Sequence, residues 1–368
     1  MSECLSTVER QRLADEWANG VELYDVPSVS DLIECGRRVP SVRTAVRCGG
    51  HILTYAELYE RLDGGSIGTA GPTLDDLARL LSDIAAAAHT GAMLAELGPE
   101  GTGLTPDAVA AAADDRRAVA ADLRSCHIDR AYGSADVRLL GTHWDCTDAA
   151  VELLATLADG ATLVLATAAQ RMDSSALAEL VAETAASHVM AAAGTLAGLT
   201  ELPAVPALPS VRRWDVLGTH CPAALSGLLR ELSPGSCAGF AYGTVEYAGV
   251  AARGPLDGSG RVRPIPGARL LVLDESLRLV VPGETGDVYL GGAAMAVELT
   301  DAAAGFSIAD PFGPGRLVRT GTRGQWTADG WLVFAQAETA EVASVPTATE
   351  LIGLINSGGD DDMDYAAA

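Results

Sequence analysis

Residues 148–166 read DAAVELLATLADGATLVLA, and two periods share that one stretch. From Asp148 to Leu157 the apolar residues fall at helical spacing, and from Thr162 to Thr167 a short apolar run reads as a strand. The same alternation continues on both sides. Strands are expected at Val137–Gly141, His188–Ala191 and Arg213–Gly218, with helices at Ser175–Ser187 and Ala223–Leu232. Alternation of this kind predicts an α/β domain with a largely parallel sheet.

Upstream, Ser6-Thr7-Val8-Glu9 reads as a capping box opening a helix that runs to Trp17. Further expectations are a helix at Ser30–Arg37, a strand at Val42–Cys48 turned by Gly49-Gly50, and helices at Leu74–Leu97 and Ala110–Leu123. Between those helices, Gly98 to Pro106 reads as an exposed loop. Beyond Ala241 the pattern changes to short strands separated by turns: Ala268–Asp274, Gly286–Leu290, Arg316–Arg319, and a hairpin Gln325–Phe334 around Asp329-Gly330. This portion should be a small antiparallel sheet or barrel. The residues from Ala335 on, ending in the acidic stretch Asp360 to Asp364, read as a solvated tail.

At 368 residues, 48% hydrophobic, with mean hydropathy +0.20, the chain has material for a substantial core. Its formal net charge of -24 repels polyanions, so nucleic-acid and anionic-membrane partners are not expected. Seven cysteines (Cys4, Cys35, Cys48, Cys126, Cys146, Cys221 and Cys237) are scattered without metal-ligand spacing. Neither a disulfide framework nor a zinc site is indicated, and a reduced cytoplasm is the expected compartment. The charged opening MSECLSTVERQRLADEW lacks a signal-peptide core, and no apolar run reaches membrane-spanning length.

Short motifs then add a resemblance. Leu53-Thr54-Tyr55-Ala56-Glu57-Leu58 resembles the LTYxEL opening of nonribosomal peptide synthetase adenylation domains. Asp148–Ala166 is similar to the helix that lines their amino-acid pocket and the strand after it. In order follow Phe240-Ala241-Tyr242-Gly243-Thr244-Val245-Glu246 for (N)xYGPTE, Pro264-Ile265-Pro266-Gly267-Ala268 for PIPG, and Gly286–Gly292 for GELYIGG. The series closes with Ala309-Asp310-Pro311-Phe312-Gly313 for ADPFG and Arg319-Thr320-Gly321 for YRTGD. The resemblance implies the α/β large subdomain of an adenylation domain of the ANL superfamily plus a small antiparallel β-barrel, with the C-terminal subdomain absent. Expected boundaries are 1–22 for a linker-like helix, 23–250 for the α/β core, 251–337 for the barrel portion and 338–368 for the tail.

The departures concentrate where that family handles nucleotide. Its phosphate loop, TSGTTGxPKG, has as counterpart here Gly98 to Asp107, with Glu100, Gly101, Thr102 and Gly103 at its centre. Glu100 and Asp107 place carboxylates beside a polyphosphate. Tyr242, Gly243, Thr244 and the magnesium-associated Glu246 match the family, whereas its phosphate-contacting Thr becomes Val245. The ribose-binding Asp becomes Thr322, one neutral hydroxyl in place of a bidentate acceptor. The Arg the family has just beyond the last barrel strand aligns with Gln336, and three lost contacts at roughly 1.5–3 kcal/mol each amount to about 5–9 kcal/mol, or ~10³- to 10⁶-fold in affinity. At the amino-acid pocket, ungapped alignment puts Thr147 where the family holds the ammonium with Asp, although a one-residue slip would bring in Asp145 or Asp148.

Remaining candidates read as structure. His127, His143, His188 and His220 beside Cys126, Cys146 and Cys221 lack an orienting third group and read as packing. Gly291-Gly292 is a turn pair, and the terminal aspartates lack metal-loop spacing. The exception is Ile308, Ala309, Asp310, Pro311 and Phe312. In family members that depend on MbtH-like proteins, this segment supplies part of the docking face; its bland counterpart is a buried barrel turn. The expected function is therefore a catalytically inactive adenylation-like scaffold in nonribosomal peptide biosynthesis. It would use no cofactor or metal and would recruit an MbtH-like protein, a carrier protein or a tailoring enzyme. The alternative is an amino-acid-activating enzyme completed in trans by a separate C-terminal subdomain.

Overall fold

The computed structural model describes residues 5–23, 25–65, 73–89, 104–121, 133–144, 146–220, 223–244, 246–296 and 307–335. These residues, up to Phe334, belong to one compact unit. Helices α1 (Thr7–Gln11), α2 (Val29–Gly36), α3 (Tyr55–Gly65), α4 (Leu74–Ala88) and α5 (Pro106–Ala121) accompany the first two strands, β1 (Thr44–Cys48) and β2 (His51–Thr54). The α/β alternation then runs β3 (Val137–Gly141), α6 (Cys146–Asp159), β4 (Thr162–Leu165), α7 (Ala168–Met172), α8 (Ser174–Thr184) and β5 (His188–Ala192). It continues through α9 (Ala193–Ala197), β6 (Arg213–Leu217), α10 (Ala223–Leu232) and β7 (Cys237–Tyr242). The remaining strands are β8 (Ala252–Pro255), β9 (Arg261–Pro264), β10 (Ala268–Leu273), β11 (Gly286–Gly292), β12 (Ser307–Ala309), β13 (Arg316–Trp326) and β14 (Leu332–Phe334).

Strands β1, β4, β3, β5, β6 and β7 lie side by side and parallel, with β2 antiparallel at one edge. From β7 the ladder passes through β8 and β9 into the antiparallel strands β14, β13, β11 and β10. The expected α/β layer and antiparallel portion are thus one hydrogen-bonded array of 14 strands. No helix among the described residues is long and apolar enough to cross a membrane.

Local chemistry sets the element ends. Capping boxes start α1 (Ser6 with Glu9), α2 (Ser28 with Asp31) and α4 (Thr73 with Asp76), each Ser or Thr accepting an orphan amide while the acid returns the favour. Three expectations need correction. The helix expected to run to Leu97 stops at Ala88, because His89 turns left-handed and closes it. The helix expected to reach Trp17 changes at Arg12 into a π-helical turn, Arg12–Glu16. The strand expected to end at Arg319 continues to Trp326, a register shift against β11 between Asp287 and Tyr289 absorbing the bend. The Asp329-Gly330 hairpin forms as expected, with Gly330 at positive φ and Trp326 opposite Leu332. Among the cysteines, Cys237 is disulfide-bonded, a departure from uniformly reduced thiols, whereas Cys35 and Cys48 are free.

The N-terminal segment lies along the edge of β10. Gly20 N–H donates to Ala268 O, Leu270 N–H to Ala18 O, and Gly267 N–H to Val21 O. Trp17 meets Trp326 at 6.0 Å between ring centroids. Covering an edge strand in this way hides its unpaired backbone groups.

The parallel sheet has two unlike faces. On one, Val189, Ala191, Val216 and Phe240 are buried, and Trp214 Nε1 donates to Ser233 Oγ at 2.8 Å. The other, beneath α5 and α6, carries charge. In register across β3, β5 and β6 stand Arg138, His188 and Arg213, followed two residues later by Leu140, Met190 and Asp215. Asp215, only 1% exposed, is the hub. It accepts from His188 Nε2 at 2.7 Å, from Arg213 Nη2 at 2.8 Å and from Arg116 Nη1 at 3.4 Å, with Arg253 Nη1 at 3.6 Å. Arg116 Nε also donates to Glu152 Oε1, Arg138 Nη2 to Asp159 Oδ2, and Arg253 Nη2 to Asp115 Oδ2. Four guanidinium groups thus face four carboxylates, five of the eight buried and Arg213, Arg253 and Asp159 half-buried, a balance that lets the layer keep its charges.

His188 is the neutral member. Arg138 Nη1, which can only donate, lies 3.3 Å from its Nδ1, so the ring proton belongs on Nε2, where it is given to Asp215. Protonating Nδ1 would set two donors against each other in a dry interior. Burial first, with the Arg138 charge, holds the imidazole pKa down at about 4. Burial would raise the Asp215 carboxyl, but Arg213, the His188 N–H and Arg253 hold it well below the usual carboxylate range.

Between pH 6.5 and about 4 the unfolded chain binds a proton on His188 that the folded chain refuses. Stability therefore falls with pH through that window, by about 3 kcal/mol at its foot. Below it, protonation of the unfolded counterpart of Asp215 adds a further loss. Urea unfolding across pH 7 to 4 should show this slope, and His188→Gln should flatten it; an equal slope in the variant would refute the assignment. A second expectation concerns the N-terminal segment. A Cβ on Gly20 would lie 1.6 Å from Ile265 O, so Gly20→Ala should cost about 3 kcal/mol by forcing the segment off β10, read as a lowered urea midpoint.

Candidate functional site

The chain leaves β3 through α6 toward β4 on one side, and leaves β5 toward β6 on the other. Between β3 and β5 the winding reverses, the place where open α/β sheets form a crevice at their carboxyl ends. A cavity lies there, lined by Arg116, Leu140, Thr142, Asp148, Glu152 and Met190 among others. Its volume is about 20 Å³, room for roughly one water molecule. The pocket helix is α6, as expected, with Thr147 and Asp148 in its first turn. Thr147 is buried, and its Oγ1 has no hydrogen-bond partner. Asp148 lines the cavity.

The ionic layer contributes Arg116 and Glu152 to the lining of this cavity. Arg116 reaches from α5 to Glu152 and Asp215 and lays Nη2 against the Met190 sulfur, filling the room beneath the α6 N-terminus. Burial would raise the Glu152 carboxyl, but Arg116 and Arg138 bring it below its ordinary value. Burial lifts Asp159 above its ordinary value despite Arg138.

The nucleotide-side positions meet only in part. Tyr242, at the end of β7, and Thr322, on β13, are brought together: Tyr242 OH lies 3.3 Å from Thr322 Oγ1. The Tyr242 ring is 3% exposed and packs against Phe334 at 4.4 Å between centroids. The ring is thereby occupied by protein. Gly243, Thr244 and Glu246 follow in the turn after β7, all partly exposed. Asp107 stands exposed in the first turn of α5. Glu100, Gly101, Thr102, Gly103 and Val245 lie outside the described residues. No group of three or more His, Cys, Asp or Glu among the described residues could hold a metal ion.

The segment Ile308 to Phe312 sits at the surface. Strand β12 pairs with β13, leaving Ala309 and Pro311 exposed while Ile308 and Phe312 pack partly against the core. Asp310 is buried and fixes the turn. It accepts from Arg269 Nε at 2.5 Å and from the Phe312 amide at 2.8 Å. The same Arg269 donates to Ala14 O and Asn19 Oδ1, tying the turn to the N-terminal segment. A cleft of about 470 Å³ opens beside it, lined by Leu5, Arg10, Leu277, Val281, Pro311 and Phe312 among others.

Sequence reasoning singled out His188 only as packing and passed over Arg116, Glu152 and Asp215. One signal was present. In Arg213-Trp214-Asp215-Val216-Leu217, charged and apolar residues alternate at strand spacing, which sends both charges to one face.

Residues 115–298 match the family model described as AMP-binding enzyme. A probable non-canonical nonribosomal peptide synthetase, CymA, of Salinispora arenicola is 34% identical over 211 residues, 55% of this chain and 3% of that protein. Novobiocin biosynthesis protein H of Streptomyces niveus is 33% identical over 192 residues, 50% of this chain and 31% of its own length. The chain thus matches less than a third of either relative. Among solved structures, the nonribosomal peptide synthetase FmoA3 in its AMPPNP-bound form superposes with a TM-score of 0.65 at 20% identity, covering 89% of this chain and 44% of that one. The Klebsiella oxytoca NpsA N-terminal subdomain, in complex with 3-hydroxyanthranilyl-AMSN, superposes with a TM-score of 0.57 at 16% identity, covering 85% of this chain and 99% of that one. With half of its length matched to the family model, the chain belongs to the AMP-binding enzyme family, and the relatives it resembles include a nonribosomal peptide synthetase.

Proposed function

We propose that this chain is a catalytically inactive, adenylation-like protein that serves as a protein-binding scaffold in nonribosomal peptide biosynthesis. The observation that carries the proposal is the cavity of about 20 Å³ at the switch point. An amino-acid substrate does not fit a space of that size, and the wall that would have to move is an ion network with balanced charge.

Two features support the same reading. All 25 of the chain's Lys/Arg residues are arginine, so it offers no lysine to a phosphate loop under any alignment. Tyr242 meanwhile spends its ring on Phe334 and its hydroxyl on Thr322, and Thr322 offers ribose a single neutral oxygen.

The partner-binding half of the proposal places the docking surface at Ile308 to Phe312. Ala309 is exposed at the edge of β12, its neighbour Asp310 is locked by Arg269, and the cleft beside Phe312 is open. A small side chain held on a rigid turn is suited to insertion between aromatic rings of a partner, because little conformational entropy is lost on docking. An MbtH-like protein is the favoured occupant, with a carrier protein or tailoring enzyme as the other partner classes of the scaffold.

Isothermal titration with magnesium and ATP at about 1 mM should give no binding heat, and amino-acid-dependent pyrophosphate exchange should be absent. Co-purification with a co-expressed MbtH-like protein should succeed, and Ala309→Arg should weaken it about tenfold or more with no change in Tm. ATP binding or exchange activity would establish the enzyme completed in trans instead. Failure to retain any of the three partner classes would end the scaffold reading.

A further inference from the structure

We propose that Arg116 is a built-in occupant of the pocket between β3 and β5, seated on Glu152 and Asp215, and that this carboxylate seat accepts a guanidinium-type cation when the arginine is removed. The functional meaning of the proposal rests on the shut-pocket reading above; its physical content does not.

Arg116 differs from the other arginines of the ionic layer. Arg138 and Arg213 project from the sheet and Arg253 from β8, and none of the three is among the residues lining the cavity. Arg116 comes from α5, lines the cavity and is 2% exposed. All three sides of its planar fork are engaged: Nε on Glu152 Oε1 at 2.5 Å, Nη1 on Asp215 Oδ2 at 3.4 Å, and Nη2 on the Met190 sulfur at 2.6 Å. A flat group with donors along its edges matches two carboxylates and a soft sulfur better than an ammonium does, because an ammonium is a compact point charge.

The seat has its own demand for a cation. With Arg116 gone, Asp215 keeps Arg213, His188 and Arg253. Glu152 fares less well: it loses the hydrogen bond and the closest opposing charge that Arg116 supplies and keeps the charge of Arg138. It would be left as a buried carboxylate facing new empty space, with Asp148 lining the same cavity. Such a group either recruits a cation or binds a proton. The opening would have the shape of the departed side chain, which selects small planar guanidinium or amidinium ions.

The experiment is chemical rescue of Arg116→Ala, followed by thermal unfolding in methylguanidinium chloride, tetramethylammonium chloride or sodium chloride at equal concentration. Methylguanidinium in tenfold excess over its Kd should raise the variant's Tm by about 2 °C, with no rise in the other salts. Wild-type protein should not respond, because its seat is filled. Arg116→Ala/Glu152→Gln, which removes the orphaned charge, should melt higher than Arg116→Ala and lose the rescue. Should Arg116→Ala not accumulate in folded form, the yield on refolding in each salt reads the same seat, and only methylguanidinium should increase it. Equal behaviour in all three salts, or an equal rise in wild-type protein, overturns the proposal. ATP calorimetry and partner capture are separate readouts, so failure of the scaffold reading and failure of the seat are distinguishable.

Discussion

The arrangement on which the rest of this molecule depends is the buried contact between the Asp215 carboxylate and its four cationic or proton-donating neighbours. A carboxylate that is 1% exposed survives as a charge only where the lost hydration is replaced from several directions. Here α5 supplies Arg116, β5 supplies His188, β6 supplies Arg213 and β8 supplies Arg253. These four elements therefore share one geometric constraint. Net stabilisation from buried ion pairs is small or negative compared with apolar packing. Their effect is to penalise every arrangement in which a partner is misplaced, which pins the helix pair α5 and α6 on the sheet in one position. The opposite, apolar face of the same strands supplies burial free energy without that directional demand.

The pinned position decides what the molecule can bind. An α/β sheet offers a crevice where its winding reverses, and this sheet does so between β3 and β5. Arg116 lines the small cavity there, so the feature that positions the helices also takes up space between them. A second clamp sits at the far end of the sheet, where Arg269 holds Asp310, Ala14 O and Asn19 at once. Its effect is the reverse: it leaves Ala309 and Pro311 exposed on a rigid turn. One clamp fills interior space between helices and sheet, and the other holds an exterior turn in place.

Most elements were legible because the signals that specify them are local. The stretch Asp148–Ala166 carried its helix and strand in its own apolar spacing, and the capping box at Ser6 and Glu9 announced α1. The failures were local readings overruled by geometry. Apolar residues at helical spacing beyond Ala88 hid the left-handed turn at His89. Turn residues within β13 suggested a break that pairing with β11 and β14 on either side does not permit. The candidate site was less legible. Tyr242 and Thr322 were named separately, yet nothing in either motif stated that their hydroxyls would meet across 80 positions of chain.

By itself, the amino-acid sequence determined the order and type of most elements and the parallel sheet followed by antiparallel strands. Each of these follows from spacing or from side-chain identity within a few residues. Only the tertiary structure decided which side chains meet at the small cavity between β3 and β5. Arg116 meets Glu152 from 36 positions away and Asp215 from 99, and Arg253 meets Asp115 from 138. Coulombic attraction acts between neighbours in space, and once water is excluded it outweighs any local preference. A string of residues shows 25 arginines and 49 acidic residues with no indication of which will share a dry interior; the packing of α5 and α6 on the sheet selects the pairs.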